Sequence, residues 1–324
     1  LGINFTDIVG HERQKKILTR IVENRTLPGA ILFTGASGIG KRLIAGRTIA
    51  AVFCRSENPP CGTCRECLRV AGGTHPDFVQ LGPNERGAIP IGSEDRKEAG
   101  TVRWLIERLS MKSFSGTTCV LVDGVDRMRI EGQNALLKTI EEPAPGTHIF
   151  LVASGTSAIL PTILSRCFEM KFAPLDPRSI IGIMDKKKLI NSNASVIAEI
   201  SGGSAENALL LSEGDMLGEL RRACRGVSDL VRGHDATVEG VSDLEKKLGA
   251  ERLAGIMMNV YRQNLLFLVC GTGTGRDCRD YFQDVFLNDP AAVKIAQGAI
   301  LEARKAAARN IGLAGAVRGL AHPA

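Results

Sequence analysis

Apolar residues follow two different rhythms along this 324-residue chain. In the first half they come as short runs, unbroken at 31–33, 119–122 and 149–153. The runs at 31–34, 77–81, 118–123, 148–153 and 168–172 read as strands. Between them lie stretches with helical spacing at 41–53, 102–109 and 132–142, the last stopped by Pro143. Strands without polar alternation are buried on both faces, and strands that alternate with helices form a parallel sheet covered on both sides.

After Pro174 and Pro177 the strand-like runs disappear. Residues 180–211 read as a small helical unit. Further on, Leu253, Ile256, Met257, Val260, Tyr261, Leu265 and Leu268 share one helix face, a packing surface, and 291–308 is an alanine-rich helix. Gly271-Thr272-Gly273-Thr274-Gly275 has no strand feeding it and reads as a linker. Lys186-Lys187-Lys188 reads as a solvated helix face. No internal repeat is visible.

Hydrophobic residues make up 44% of the chain and aromatics 4%, so the cores are mainly aliphatic. A net charge of +6 permits contact with nucleic acid without demanding it. No apolar run looks long enough to span a bilayer. The N-terminal residues Leu1 to Asp7 have neither a basic nor an apolar signal region. A cytoplasmic location is expected, where disulfides are disfavoured.

Gly35-Ala36-Ser37-Gly38-Ile39-Gly40-Lys41 fits a phosphate-binding loop. Its glycines let backbone N–H groups close around phosphates, and its lysine reaches their outer oxygens. The next position, which normally offers a hydroxyl to Mg²⁺, is Arg42. Arginine has no lone pair to give a cation. The strand at 118–123 ends in Asp123, the expected carboxylate for Mg²⁺ in such enzymes. In ATPases of the AAA+ class a glutamate follows it to polarise the attacking water. Gly124 stands there instead, and Asp126 is too far along to be assumed a substitute.

Of nine cysteines, Cys54, Cys61, Cys64 and Cys67 are spaced C-x6-C-x2-C-x2-C. In an intracellular chain this reads as a tetrahedral zinc site. Pro59, Pro60 and Gly62 supply the turns. Four protein ligands leave no open position, so the metal would be structural. The competing reading is a set of surface thiols without metal.

Several segments occur in one order: Asp7-Ile8-Val9-Gly10-His11, the phosphate loop, the cysteine cluster, Thr74-His75-Pro76-Asp77-Phe78, Asn134-Ala135-Leu136-Leu137-Lys138-Thr139-Ile140-Glu141-Glu142-Pro143, and Leu160-Pro161-Thr162-Ile163-Leu164-Ser165-Arg166-Cys167. Together they resemble the bacterial sliding-clamp loader subunits of DNA polymerase III, over roughly residues 5–210. The resemblance implies an AAA+ P-loop domain at 1–174 with an inserted zinc module near 54–67, a helical lid at 175–212, and a helical collar at 213–324.

Within that family the chain departs from the gamma/tau motor at Arg42 and Gly124. It departs again at Glu206 in Gly203-Ser204-Ala205-Glu206-Asn207-Ala208-Leu209, where the motor resembles a pattern with a phosphate-sensing arginine. His75-Pro76-Asp77-Phe78 also resembles the stator branch. The resemblance therefore implies a stator with a degenerate nucleotide site (Gly35, Gly38, Gly40, Lys41, Arg42, Asp123), weak or absent ATP/ADP binding, and negligible hydrolysis of its own. It implies that Arg166 points into a neighbour's ATP site as an arginine finger. The implied partners are gamma/tau and delta subunits in a hetero-oligomeric ring, with the sliding clamp and primed DNA reached through the complex. The alternatives are an active gamma/tau-like ATPase and a zinc-stabilised DNA-binding module. The latter lacks an obvious recognition helix or stacking platform.

Overall fold

A computed structural model of the chain describes residues 3–93, 98–234, 239–270, 276–307, 312, 313, 316 and 317. The chain divides into two compact units, Leu1–Pro174 and Leu175–Ala324.

The first unit runs α1 (Glu12–Glu23), β1 (Ala30–Thr34), α2 (Lys41–Phe53), α3 (Arg65–Ala71), β2 (Phe78–Leu81), α4 (Val102–Leu109), β3 (Thr118–Asp123), α5 (Ile130–Glu141), β4 (Thr147–Ala153), α6 (Pro161–Leu164) and β5 (Phe168–Lys171). The strands form one five-stranded sheet in the order β2-β3-β4-β1-β5, every pairing parallel. Successive strand residues face opposite sides. Thus Ile31 and Phe33 of β1 join Leu18, Ile44 and Ile49 in one core. Leu32 joins Leu105, Leu136 and Ile163 in the other. Both faces are covered, which is why the strands read as unbroken apolar runs. β5 at the edge departs from this: of its four residues only Met170 is buried.

The parallel register brings the strand ends to one edge. Thr34 pairs with Ala153, and Asp123 with Val152. The loops that follow β1, β3 and β4 therefore meet there, where sheets of this kind bind ligands.

The described residues of the second unit contain helices and no strand: α7 (Pro177–Lys186), α8 (Ala194–Ile200), α9 (Ala205–Leu211), α10 (Met216–Val231), α11 (Glu239–Leu248), α12 (Ala250–Cys270), α13 (Arg276–Tyr281) and α14 (Pro290–Ala307). They share one core, in which Leu253, Ile256, Met257, Val260 and Tyr261 of α12 are buried; Leu265 and Leu268 are half-buried against it. Buried Ser228 is paired there: its Oγ lies 2.8 Å from the Tyr261 hydroxyl and donates to the Val285 carbonyl at 2.6 Å.

Three details differ from the sequence reading. α12, with 21 residues and a mean hydropathy of 1.2, is long and apolar enough to cross a bilayer. Its buried face makes it a core helix, so its hydropathy reflects packing. Of the lysine triplet, only Lys186 is helical. Lys187 is the C-cap and Lys188 has a left-handed backbone (φ 58°), so the charges meet the negative end of α7. Helices α1, α3, α6, α10, α11 and α13 add to those expected. The glycine-rich stretch 271–275 and residue 308, at the end of the expected 291–308 helix, lie outside the described residues.

Candidate functional site

The phosphate loop joins β1 to α2, and three of its glycines have positive φ: Gly35 (143°), Gly38 (75°) and Gly40 (102°). At Gly35 a Cβ would lie 2.3 Å from the Phe172 carbonyl oxygen, so only glycine fits. Lys41 is buried, and its Nζ donates to the carbonyls of Gly35 and Ala36, each at 2.5 Å. Burial lowers the Lys41 pKa, while the carboxylates of Asp126 and Asp123 work against that fall. His11 backs the loop from α1: its Nε2 lies 2.8 Å from the Ile39 carbonyl, and its ring meets Phe172 edge-on at 5.0 Å.

Asp123 ends β3 beside this loop. Its carboxylate lies 3.3 Å from an Arg42 guanidinium nitrogen. The pair ties the second residue of α2 to the end of β3. Gly124 follows in the left-handed region (φ 90°, ψ 48°) and starts a short 3₁₀ turn. Asp126 in that turn accepts the Ser154 N–H at 3.0 Å, while its other oxygen is buried without a partner. It is the carboxylate that opposes the fall in the Lys41 pKa most strongly, a proximity that its sequence offset did not reveal.

The four cysteines converge between α2 and α3. Their sulfurs all lie within 4.8 Å of one another, and those of Cys54 and Cys64 are 3.9 Å apart. Tetrahedral zinc with Zn–S bonds of about 2.3 Å sets its sulfurs roughly 3.8 Å apart, so the residues fit such an ion. Backbone N–H groups of Cys61, Cys64 and Cys67 point at the sulfurs of Cys54, Cys61 and Cys64, at 3.4, 3.3 and 3.4 Å. The last of these contacts also caps α3. The N–H groups of Thr63 and Cys64 pull the Cys61 thiol down to about 5. At Cys54, burial opposes ionisation, but the Ser56 hydroxyl and Cys61 N–H outweigh it. Burial pushes the Cys67 thiol up to about 12. The cluster can hold a metal ion such as zinc.

The segment after the cluster locks this module to the sheet. Buried His75 lies 3.0 Å from a Glu66 oxygen of α3, and its ring packs on Phe53 at 4.0 Å. Asp77 accepts the N–H groups of Phe114 and Ser115, both at 2.8 Å, and so fixes the turn before β3. These two residues are structural in the fold.

Arg166 is exposed just beyond α6, near the α5 C-terminus. Its Nε pairs with Glu141, and its Nη1 donates to the Thr162 carbonyl at 3.0 Å and to Ser165 Oγ at 3.2 Å. In the second unit, Glu206 is paired with Arg252 at 2.5 Å, so its negative charge is matched locally.

Comparison with known proteins places these features in a family. Residues 10–176, just over half of the 324, match the family described as "DNA polymerase III, delta subunit". The chain is 30% identical to the DNA polymerase III subunit delta' of Pseudomonas aeruginosa, over 63% of this chain and 61% of that protein. It is 26% identical to the subunit delta' of Bacillus subtilis, over 94% of this chain and 92% of that one. The B. subtilis subunit tau is 28% identical over 64% of this chain and 37% of its own length. Among solved structures, a Thermotoga maritima RuvB aligns with a TM-score of 0.44 and 14% identity, over 87% of each chain. On the match that contains the phosphate loop, the cysteine cluster, Asp123 and Arg166, the chain belongs to the DNA polymerase III delta subunit family.

Proposed function

We propose that this chain is the stator of a cytoplasmic clamp loader: a subunit that holds its place in a ring, hydrolyses no ATP itself, and completes a neighbour's ATP site. The observation that carries this reading is the Arg42–Asp123 pair. It puts a cation where Mg²⁺ would be shared between loop and strand, beside a glycine where water activation needs a carboxylate. The loop still offers N–H groups at a helix N-terminus, so weak binding of ATP or ADP with little dependence on Mg²⁺ is part of the reading.

Arg166 supplies the positive half of the proposal. A guanidinium stabilises charge on a transferring phosphoryl group and can be delivered in trans, where it is worth about 10³–10⁵ in rate. Its own chain offers it no competent site to serve. The relatives named as DNA polymerase III subunits delta' and tau support gamma/tau and delta subunits as neighbours; the sliding clamp and primed DNA, as what the assembly acts on, rest on the clamp-loader resemblance. The zinc reading of the four cysteines, and the division of the second unit into a lid at 175–212 and a collar at 213–324, belong to the same proposal.

Reconstitution with gamma/tau and delta subunits tests it. The intact complex should contain this chain by mass. Arg166→Ala should leave assembly unchanged while lowering total ATPase partially, since a ring with several motor sites loses one finger. Normal ATPase and clamp loading from a fully assembled mutant complex would sink the finger role. The second reading, an active motor, is favoured by the tau similarity. ATP turnover by the isolated chain separates the two.

A further inference from the structure

Glu141 is the last residue of α5, and its carboxylate pairs with Nε of Arg166. Two further contacts restrain the same guanidinium, from Nη1 to the Thr162 carbonyl and to Ser165 Oγ. Nε and Nη1 are thus committed within the chain, which leaves Nη2 for an outside partner. The platform beneath is rigid. Buried Gln133 of α5 donates to the Ala158 carbonyl at 2.8 Å and accepts the Leu160 N–H at 2.8 Å, which ties the start of α6 to α5. Ile163 of α6 is fully buried in the sheet core. The exposed tip is therefore mounted on two helices that cannot drift apart.

We propose that Glu141 is the positioning residue of Arg166: it holds the guanidinium by one edge so that the other is already aimed when a neighbouring subunit presents a nucleotide. This rests on the reading of Arg166 as a group supplied in trans. Stability does not explain the pair, because both side chains are well exposed (38% and 41%) and exposed ion pairs contribute little. Orientation does. An unrestrained arginine loses rotamer freedom when it engages a phosphoryl group, and a held one has lost it beforehand. A carboxylate on Nε also leaves the guanidinium charged and planar, with Nη2 to meet a phosphate oxygen.

The test is a double-mutant cycle in the reconstituted complex with gamma/tau and delta subunits, reading ATPase against ATP concentration. Glu141→Ala should lower kcat about two- to tenfold, the scale of re-ordering one long side chain, with KM for ATP little changed. Glu141→Gln, which keeps an acceptor oxygen, should retain most of the rate. In an Arg166→Ala background, Glu141→Ala should have no further effect, because its influence passes through Arg166. The melting temperature of the isolated chain should not fall appreciably in either single mutant. Wild-type kcat for an assembled Glu141→Ala complex, alongside a slow Arg166→Ala complex, overturns the positioning role and leaves the finger standing. An equal loss from Glu141→Ala in both backgrounds overturns it too, as a structural effect. A faster Glu141→Ala complex would make the pair a restraint rather than an aid, and also overturns the proposal. Normal turnover with Arg166→Ala is the separate result that removes the finger reading and this inference together.

Discussion

Arg42, the second residue of α2, lies 3.3 Å from the Asp123 carboxylate that ends β3. The Arg42 side chain is 60% exposed, so the pair adds little to stability. Its consequence is chemical. A metal ion at this place would have to displace a cation from the Asp123 carboxylate, with no hydroxyl at position 42 to assist it.

The isolated chain should accordingly fail to hydrolyse ATP, with or without DNA. Turnover of order 1 s⁻¹, within the ordinary enzyme range, would contradict the stator reading. Binding of a fluorescent ATP analogue should be weak and nearly the same in Mg²⁺ and in chelator. Arg42→Thr frees Asp123 and restores a hydroxyl, so binding should become tighter in Mg²⁺ than in chelator. Hydrolysis should still be missing, because Gly124 offers no carboxylate. A Mg²⁺-independent Arg42→Thr variant would show that the pair is not what blocks the metal.

The cysteine cluster should carry one zinc ion per chain. Structural zinc binds finger peptides with on the order of 10–16 kcal/mol, coupled to folding. Cys54→Ser removes one ligand and should reduce the zinc found by elemental analysis of protein prepared without chelator. The loss should loosen the segment between α2 and α3 while circular dichroism of the sheet unit persists, since that unit has cores on both sheet faces. Wild-type protein free of zinc under reducing conditions would exclude the site.

His75 makes the first unit sensitive to mild acid. Burial against Phe53 lowers its pKa below the ordinary 6.5, although the Glu66 carboxylate favours the charged form. The unfolded chain then takes up a proton at a higher pH than the folded one. The contribution to stability is complete above 6.5 and is lost as pH falls through the folded value. An NMR titration of the His75 ring should give a midpoint under 6.5, and His75→Gln should flatten the pH dependence of unfolding in that range. A midpoint above 6.5 would mean that Glu66 outweighs burial.

The sheet unit was legible because its strands are covered on both faces, so 118–123 reads as a strand without any context. Helices 41–53 and 102–109 were readable for the same reason, since each must bury a face. α1 escaped notice although Ile17, Leu18, Ile21 and Val22 recur at helical spacing; of its twelve residues only Leu18 and Lys15 are buried. α3 was hidden inside the cysteine cluster, whose spacing dominates that stretch. At the candidate site the sequence singled out residues one at a time. The pairings Arg42–Asp123 and Arg166–Glu141 join segments far apart in the chain, and no local pattern encodes them. Gln133 looked like any polar helix residue, yet it is buried and ties α5 to the approach to α6.

Gly124 tests whether the missing glutamate could simply be put back. Its backbone has φ 90° and ψ 48°, where an L-residue is strained, and a Cβ there would sit 3.2 Å from Cδ of Arg127. The arginine can shift, but the backbone is held. The Gly124 N–H donates to the Val152 carbonyl at 2.8 Å, and the Gly124 carbonyl accepts from Arg127 N–H at 2.8 Å. Gly124→Glu should therefore cost about 1–3 kcal/mol, the usual penalty for a side chain in such a region, read as a lower midpoint in urea with an unchanged slope. The same variant combined with Arg42→Thr carries both missing groups, yet its carboxylate would hang from a strained turn beside Asp126. We expect that double variant to hydrolyse ATP far below the ordinary enzyme range. A Gly124→Glu protein as stable as the wild type would show that the turn tolerates a side chain, and that the glycine is not required by the local backbone.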